Sequence, residues 1–251
     1  MSDELVVGLH SIMEALRNEE RTGKKLYATK EAWNKIKNSF REHNFEIEVF
    51  ENLDFFNRET SKILKKHDAK QTRIANGLLL ETSFRRVERN DELFQKIKDG
   101  EKLKIICLDQ VTDLHNMAAV ARTAAFYGVD YVVVPSKKTT GLTPSFYRIS
   151  SGAAEHVVIK QVGNLSKFIR KCDELGAYCV GFSEHATMDA SSLVDSEKTT
   201  LLVLGNEELG ISHAVKRVLT NYIALKPQGK IKSLNVSVAA AVSMEKIFGP
   251  C

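Results

Sequence analysis

Three short stretches concentrate amides, hydroxyls, carboxylates and one arginine in patterns that suit ligand chemistry. The first, Leu108-Asp109-Gln110-Val111-Thr112-Asp113-Leu114-His115-Asn116, is a polar loop that follows an apolar run and opens a helical pattern carrying Arg122. The second, Leu204-Gly205-Asn206-Glu207-Glu208-Leu209-Gly210, leads into a helix predicted to start near Ser212. Its glycines allow close backbone approach to a ligand, and its carboxylates can orient a polar group. The third, running from Lys232 to Val242, opens a helix of small apolar residues with Ser233-x-Asn235-x-Ser237, a mouth suited to a hydroxyl or phosphate. Each stretch also has a plainer reading. Asn116 fits a helix N-cap, Arg122 a surface charge, and Gly205 and Gly210 an ordinary strand-to-helix turn. Capping by Ser233 or Asn235 accounts for one polar residue of the third stretch but not for all three.

Other chemistries lose support. No GxGxxG follows a strand and no GxxxxGK[ST] occurs, which disfavours dinucleotide and P-loop sites. His10, His43, His67, His115, His156, His185 and His213 are scattered without HExxH or triad spacing. Cys107, Cys172, Cys179 and Cys251 form no CxxC and have no His at ligand spacing, so neither a metal nor a disulfide framework is expected.

The elements that must position these stretches read as α/β. From Val6 to about Glu81, short apolar runs alternate with amphipathic ones (Ser11 to Leu16, Glu31 to Phe40, Phe45 to Phe50, Leu78 to Leu80), which predicts a small α/β unit. A strongly charged segment over 83–102, partly helical, marks the boundary. Beyond it Ile105 to Leu108, Tyr131 to Val134, Tyr178 to Gly181 and Leu201 to Leu204 are continuous apolar runs separated by helical patterns, as in a parallel sheet with crossover helices. The expected domains are 1–82, a linker at 83–102, and 103–251. Parallel α/β sheets bind ligands at the carboxyl ends of their strands, where the first two stretches fall. In the helix after the first stretch, Met117, Val120, Ala121, Ala124 and Ala125 share an apolar stripe, while His115, Ala119, Arg122 and Phe126 share another face.

Composition agrees with an ordinary soluble globular protein. The chain has 251 residues, 43% hydrophobic and 27% charged, enough for one large or two modest cores without staples. A net charge of +4 tilts slightly toward an anionic partner, and the cations are loaded into the first third: Lys24-Lys25, Arg58, Lys62, Lys65-Lys66, Lys70, Arg73, Arg85-Arg86 and Arg89. No run approaches the roughly 20 apolar residues of a membrane span, and Met1-Ser2-Asp3-Glu4 lacks the order of a secretion signal, so a cytoplasmic location is expected.

Together the three stretches resemble the signature motifs of the SpoU (TrmH-like) RNA 2'-O-ribose methyltransferases. The family's first motif runs roughly D-x-V-x-D-P-x-N-x-G-A-x-x-R-[ST]-A, and here stand Asp109, Val111, Asp113, Leu114, Asn116, Ala118, Ala119, Arg122, Thr123 and Ala124. Gly205-Asn206-Glu207-x-x-Gly210 resembles the second motif and Ser233 to Ala239 the third. Further likeness, in Val7-Gly8-Leu9-His10-Ser11-Ile12-x-x-Ala15-Leu16, Ser151-Gly152-Ala153-Ala154-Glu155 and Asn164-Leu165, is to the bacterial large-subunit rRNA guanosine branch. Departures are Leu114 for Pro, Ala118 for Gly, Ile223-Ala224-Leu225 for Ile-Pro-Met, a longer stretch before Ser233, and no His-Gln-Gly near Lys70 to Ala75.

The resemblance implies an N-terminal RNA-binding domain and a C-terminal domain of SPOUT type with a deep trefoil knot. It implies S-adenosylmethionine as cofactor, a homodimer, and an RNA substrate: rRNA, with tRNA as the alternative and a non-catalytic RNA binder as another class. A resistance enzyme acting at a ribosomal antibiotic site also fits these motifs. Asn116, Arg122, Glu207, Ser233 and Asn235 are the implied catalytic set. Leu204, Gly205, Asn206, Ile223, Leu225, Ser233 and Leu234 are the implied cofactor contacts. Arg122 is expected to clamp a phosphate rather than act as a base, since a guanidinium with pKa above about 12 holds its proton.

Overall fold

The computed structural model describes residues 4–40, 44–67, 69, 73–83, 89–136, 142–183, 186, 188–189, 197–230 and 233–249. Of the residues named above, Met1, Ser2, Asp3, His43, Lys70, Arg85, Arg86, His185, Lys232 and Cys251 lie outside the described residues. Two compact units form, one from Met1–Arg86 with Gly141–Glu155 and the other from Val87–Thr140 with His156–Cys251.

The first unit begins β1 (Glu4–Val7), α1 (Leu9–Arg17), β2 (Lys25–Thr29), α2 (Lys30–Ile36), β3 (Glu46–Phe50), α3 (Leu53–Lys66) and β4 (Leu78–Thr82). Its sheet order is β1-β4-β2-β3, with β4 antiparallel to both neighbours and β3 parallel to β2. Thr29 and Asn52 cap α2 and α3 by accepting from Ala32 N and Phe55 N. Leu5, Val7, Tyr27, Phe50, Phe56, Leu64, Ile74 and Leu79 make the core.

Residues 142–155, which follow a strand of the second unit, complete the first as α6 (Pro144–Ser150) and the 3-10 turn Ala153–Glu155. Ser11 fastens them, its hydroxyl donating to the Tyr147 carbonyl and accepting the Gly152 N–H at 2.8 Å. Beside it lies a buried ionic knot. Arg21 donates through Nη2 to Glu155 at 2.7 Å and through Nη1 to Glu4 at 2.7 Å and the Ser83 carbonyl at 2.9 Å. Burial by itself would lower the Arg21 pKa. Hydrogen bonding to Glu155, with Tyr147 and Glu4 adding to it, outweighs that and holds the guanidinium above the ordinary arginine value.

The second unit runs α4 (Asn90–Lys98), β5 (Lys104–Leu108), α5 (Leu114–Phe126), β6 (Tyr131–Pro135), β7 (Val158–Val162), α7 (Leu165–Glu174), β8 (Tyr178–Phe182), β9 (Met188–Asp189), β10 (Thr200–Leu204), α8 (His213–Lys216), β11 (Asn221–Ala224) and α9 (Val236–Phe248). The strands pair in the order β7-β6-β5-β10-β8-β11-β9, and every described pair is parallel. β5, β6, β8 and β10 coincide with the four predicted apolar runs. Their continuous apolar character follows from burial on both faces. Within the charged segment, α4 turns Leu93 and Ile97, four positions apart, into the core beside Ile105, Tyr131 and Phe168. Among the described residues no helix is long and apolar enough to cross a membrane.

Candidate active site

The loop after β10 is shaped by what glycine permits. A Cβ on Gly205 would stand 2.3 Å from the Gly210 carbonyl carbon and 2.4 Å from Ile211 N, so the chain folds back on itself only because residue 205 has none. Asn206 and Gly210 exchange backbone hydrogen bonds at 3.1 and 2.9 Å. The Asn206 side chain spans the loop, its Oδ1 accepting from Glu208 N at 2.9 Å and Leu209 N at 3.2 Å while Nδ2 donates to the Gln110 carbonyl at 3.3 Å. Asp109, buried at the end of β5, accepts Ser212 N at 2.7 Å. The first and second stretches are thereby laced together.

A cavity of about 560 Å³ opens over this loop. Leu204 to Ile211 form one wall, Leu225 to Lys230 another, and Ser233, Leu234, Val236 and Ala239 the mouth of α9. Leu225, Leu234 and Leu209 give it apolar surface. Glu207, Glu208, Lys216, Lys226 and Lys230 put charges of both signs around it.

Three side chains meet at the start of α9. Asn235 is its N-cap, with Oδ1 accepting Ser237 N at 2.9 Å. Its Nδ2 donates both to Asn116 Oδ1 at 3.1 Å and to Glu207 Oε1. Glu207 Oε1 also accepts Val236 N at 2.9 Å, placing a carboxylate on a helix N-terminus where backbone donors and the helix dipole favour it. Asn116 is not the cap of α5. Asp113 is, accepting His115 N at 2.9 Å, which leaves the Asn116 amide in the first turn available to Asn235.

The structure thus brings together Asn116, Glu207 and Asn235, and places Leu204, Gly205, Asn206, Leu225, Ser233 and Leu234 on the cavity wall. Ile223 is not on that wall. It is buried in β11 with its carbonyl accepting Ser183 N at 2.9 Å, whereas Leu225, two residues on and past the strand end, reaches the cavity. Arg122 stands on the exposed face of α5 with His115 and Phe126, opposite buried Met117, Val120, Ala121 and Ala124, and has no hydrogen bond or ion pair among the described residues. Sequence reasoning assigned no role to Gln110, which adopts φ 62° and donates through Nε2 to the Gly210 carbonyl at 3.4 Å, or to Lys216, Lys226 and Lys230. The long stretch before Ser233 was the signal for the last two. Among the described residues no group of three or more His, Cys, Asp or Glu is placed to hold a metal.

The SpoU rRNA Methylase family model matches residues 103–245 of this chain, which hold all of these site residues. The chain belongs to that family. As a SpoU methylase it is an RNA methyltransferase, and its relatives agree. YacO of Bacillus subtilis (strain 168), assigned to the TrmH family of tRNA/rRNA methyltransferases, is 28% identical over 246 residues, 98% of this chain and 95% of YacO. The SpoU methyltransferase AviRb of Streptomyces viridochromogenes, solved with AdoMet, superimposes with TM-score 0.75 at 19% identity over 97% of this chain and 88% of its own. An AdoMet-bound rRNA methyltransferase of Sinorhizobium meliloti does so with TM-score 0.71 at 18% identity over 97% and 86%.

Proposed function

We propose that this SpoU methylase transfers a methyl group to the ribose 2'-hydroxyl of a guanosine in large-subunit rRNA. The observation that carries the reading is the Asn116–Asn235–Glu207 cluster set at a helix mouth on the edge of a cavity walled by the glycine loop. S-adenosylmethionine is the methyl donor, supplying an electrophilic methyl on a sulfonium. The cavity suits it: Leu225 and Leu234 offer faces for a flat base, Glu207 and Glu208 balance a cationic centre, and the turn at Gly205 exposes backbone polar groups.

The chain's own groups then have separable tasks. Asn235 and Asn116 hold amides where a ribose hydroxyl can be oriented, and Ser233 adds a hydroxyl at the same mouth. Glu207 fixes Asn235, and its Oε1 already accepts two hydrogen bonds, so its part is positioning. Arg122, exposed and without a partner among the described residues, clamps the phosphate beside the target ribose. That phosphate or a nearby carboxylate accepts the hydroxyl proton.

The protein acts as a homodimer in the cytoplasm, its second unit tied in a trefoil knot. In support of the dimer, α5 and α9 pack on each other and still leave Phe126 82%, Val238 47% and Val242 37% exposed. Support for the knot lies in β10 standing between β5 and β8, with the last helix returning to α5. The preference for rRNA rests on the opening motif of the first unit, and tRNA is the alternative.

The test is transfer of labelled methyl from S-adenosylmethionine to separated, unmodified rRNA and tRNA, with Arg122→Ala as control. Label in large-subunit rRNA that vanishes in the variant supports the reading. Label in tRNA alone overturns the substrate, and no label with no donor binding overturns the activity.

A further inference from the structure

The motif Gly8-Leu9-His10-Ser11 is absent from the walls of the first cavity, yet it walls a second, of about 350 Å³, that lies wholly within the first unit. Arg73, Arg148 and His10 bring cationic or protonatable groups to it, and among the described residues no carboxylate lines it. Leu9, 38% exposed, gives it an apolar face above the buried Val7 and Ile74, and Asn76 a neutral amide.

The motif explains how the cavity is built. Gly8 has φ 98°, and a Cβ there would come within 3.2 Å of the Arg148 Cα, so α6 passes close only over a glycine. Ser11 holds α6 and the following turn through its bonds to Tyr147 and Gly152. Ser151 and Gly152, at φ 53° and 95°, reverse the chain there and set Ser151 on the wall. Arg148 itself is exposed and has no hydrogen bond or ion pair among the described residues, while Arg21, which donates to the hydroxyl of the neighbouring Tyr147, is fully engaged. The unit therefore spends one arginine on its fold and leaves another at a cavity.

We propose that this cavity holds one unpaired nucleotide of the RNA, its phosphate between Arg148 and Arg73 and its base against Leu9. The size fits a single base with its sugar. A base paired inside a duplex cannot enter, so the site selects a loop, bulge or flipped nucleotide, and gives the first unit a means of choosing where on a folded RNA the enzyme docks. The inference rests on the RNA methyltransferase reading for the identity of the ligand.

The experiment is fluorescence anisotropy of the full chain with a short fluorescein-labelled single-stranded oligoribonucleotide and with the same sequence as a blunt duplex, at fixed salt. Arg148→Ala and Arg73→Ala should each weaken the single strand about tenfold and Arg148→Glu about a hundredfold, from the loss of a charge-assisted contact. Arg148→Lys should lose only part of this, and the duplex should change little. Equal losses for strand and duplex, or none for either, overturn the proposal. Circular dichroism and S-adenosylmethionine binding of each variant, expected to match wild type, guard against misfolding. Should wild type bind the strand through these arginines and yet methylate no RNA, the cavity stands and the catalytic reading fails. Should methylation proceed with strand binding unchanged in every variant, the reverse holds.

Discussion

The side-chain nitrogen of Asn235 donates to Asn116 Oδ1 at 3.1 Å, joining two residues 119 positions apart at the start of α9. The same nitrogen donates to Glu207, so one amide fastens three of the family's motifs. Asn235→Asp keeps the oxygen that caps α9 but replaces the shared donor with a second carboxylate facing Glu207. Methyl transfer at saturating donor should fall at least about a hundredfold while stability changes by no more than about 2 kcal/mol. Turnover near wild type would show that the bridge is ornamental.

Gly205 and Gly210 test the loop differently. Gly205→Ala must displace backbone atoms at 2.3 Å, whereas Gly210→Ala meets open space and bears only the strain of φ 64°. Calorimetry should find donor affinity reduced more than about tenfold for the first, and a stability loss on the order of 1 kcal/mol with donor binding largely kept for the second.

The clamp assigned to Arg122 depends on planar, two-pronged geometry that an ammonium lacks. Arg122→Lys should cut kcat about tenfold or more with S-adenosylmethionine binding unchanged. Full turnover in the lysine variant removes the clamp from the mechanism.

For the dimer, Phe126→Asp places a charge at the most exposed of the large apolar side chains on α5 and α9. Size-exclusion chromatography with light scattering should shift from dimer to monomer, and activity should fall with it. A wild-type monomer at micromolar concentration would contradict the assembly.

Cys107, Cys172 and Cys179 are buried, and burial pushes all three thiols up, Cys172 to about 12. In the native protein at pH 7 to 8 they should resist aromatic disulfide reagents and react only on unfolding. Because the folded pKa values exceed the unfolded value of about 8.5, the thiols favour folding fully below that pH, and this contribution is lost as pH rises from about 8.5 toward 12. Urea titrations across that range should show the decline.

Much of this was legible in the residues. Continuous apolar runs mark central parallel strands because burial on both faces forbids alternation, and β5, β6, β8 and β10 stand out for that reason. The stripe of Met117, Val120, Ala121 and Ala124 placed Arg122 outward. What the pattern hid were elements decided by distant partners. β7 carries a buried Lys160, and α6 is held by Ser11 and Arg21, more than a hundred positions away. The capping role expected of Asn116 went to Asp113, because a cap is chosen by where the helix begins and no local rule distinguishes two polar residues three apart. Ile223 and Leu225 look alike as letters. Only the end of β11 separates a strand interior from a cavity wall.

The fastening of residues 142–155 to the first unit has a bearing on how the protein is made. During synthesis β1 to β4 leave the ribosome long before Glu155 does, and until then Arg21 and Glu4 lack the acid that completes their buried cluster. The strands of the first unit are translated before those of the second, but the unit does not reach its finished state until β5, α5 and β6 have also emerged, so the order of translation is not the order of completion.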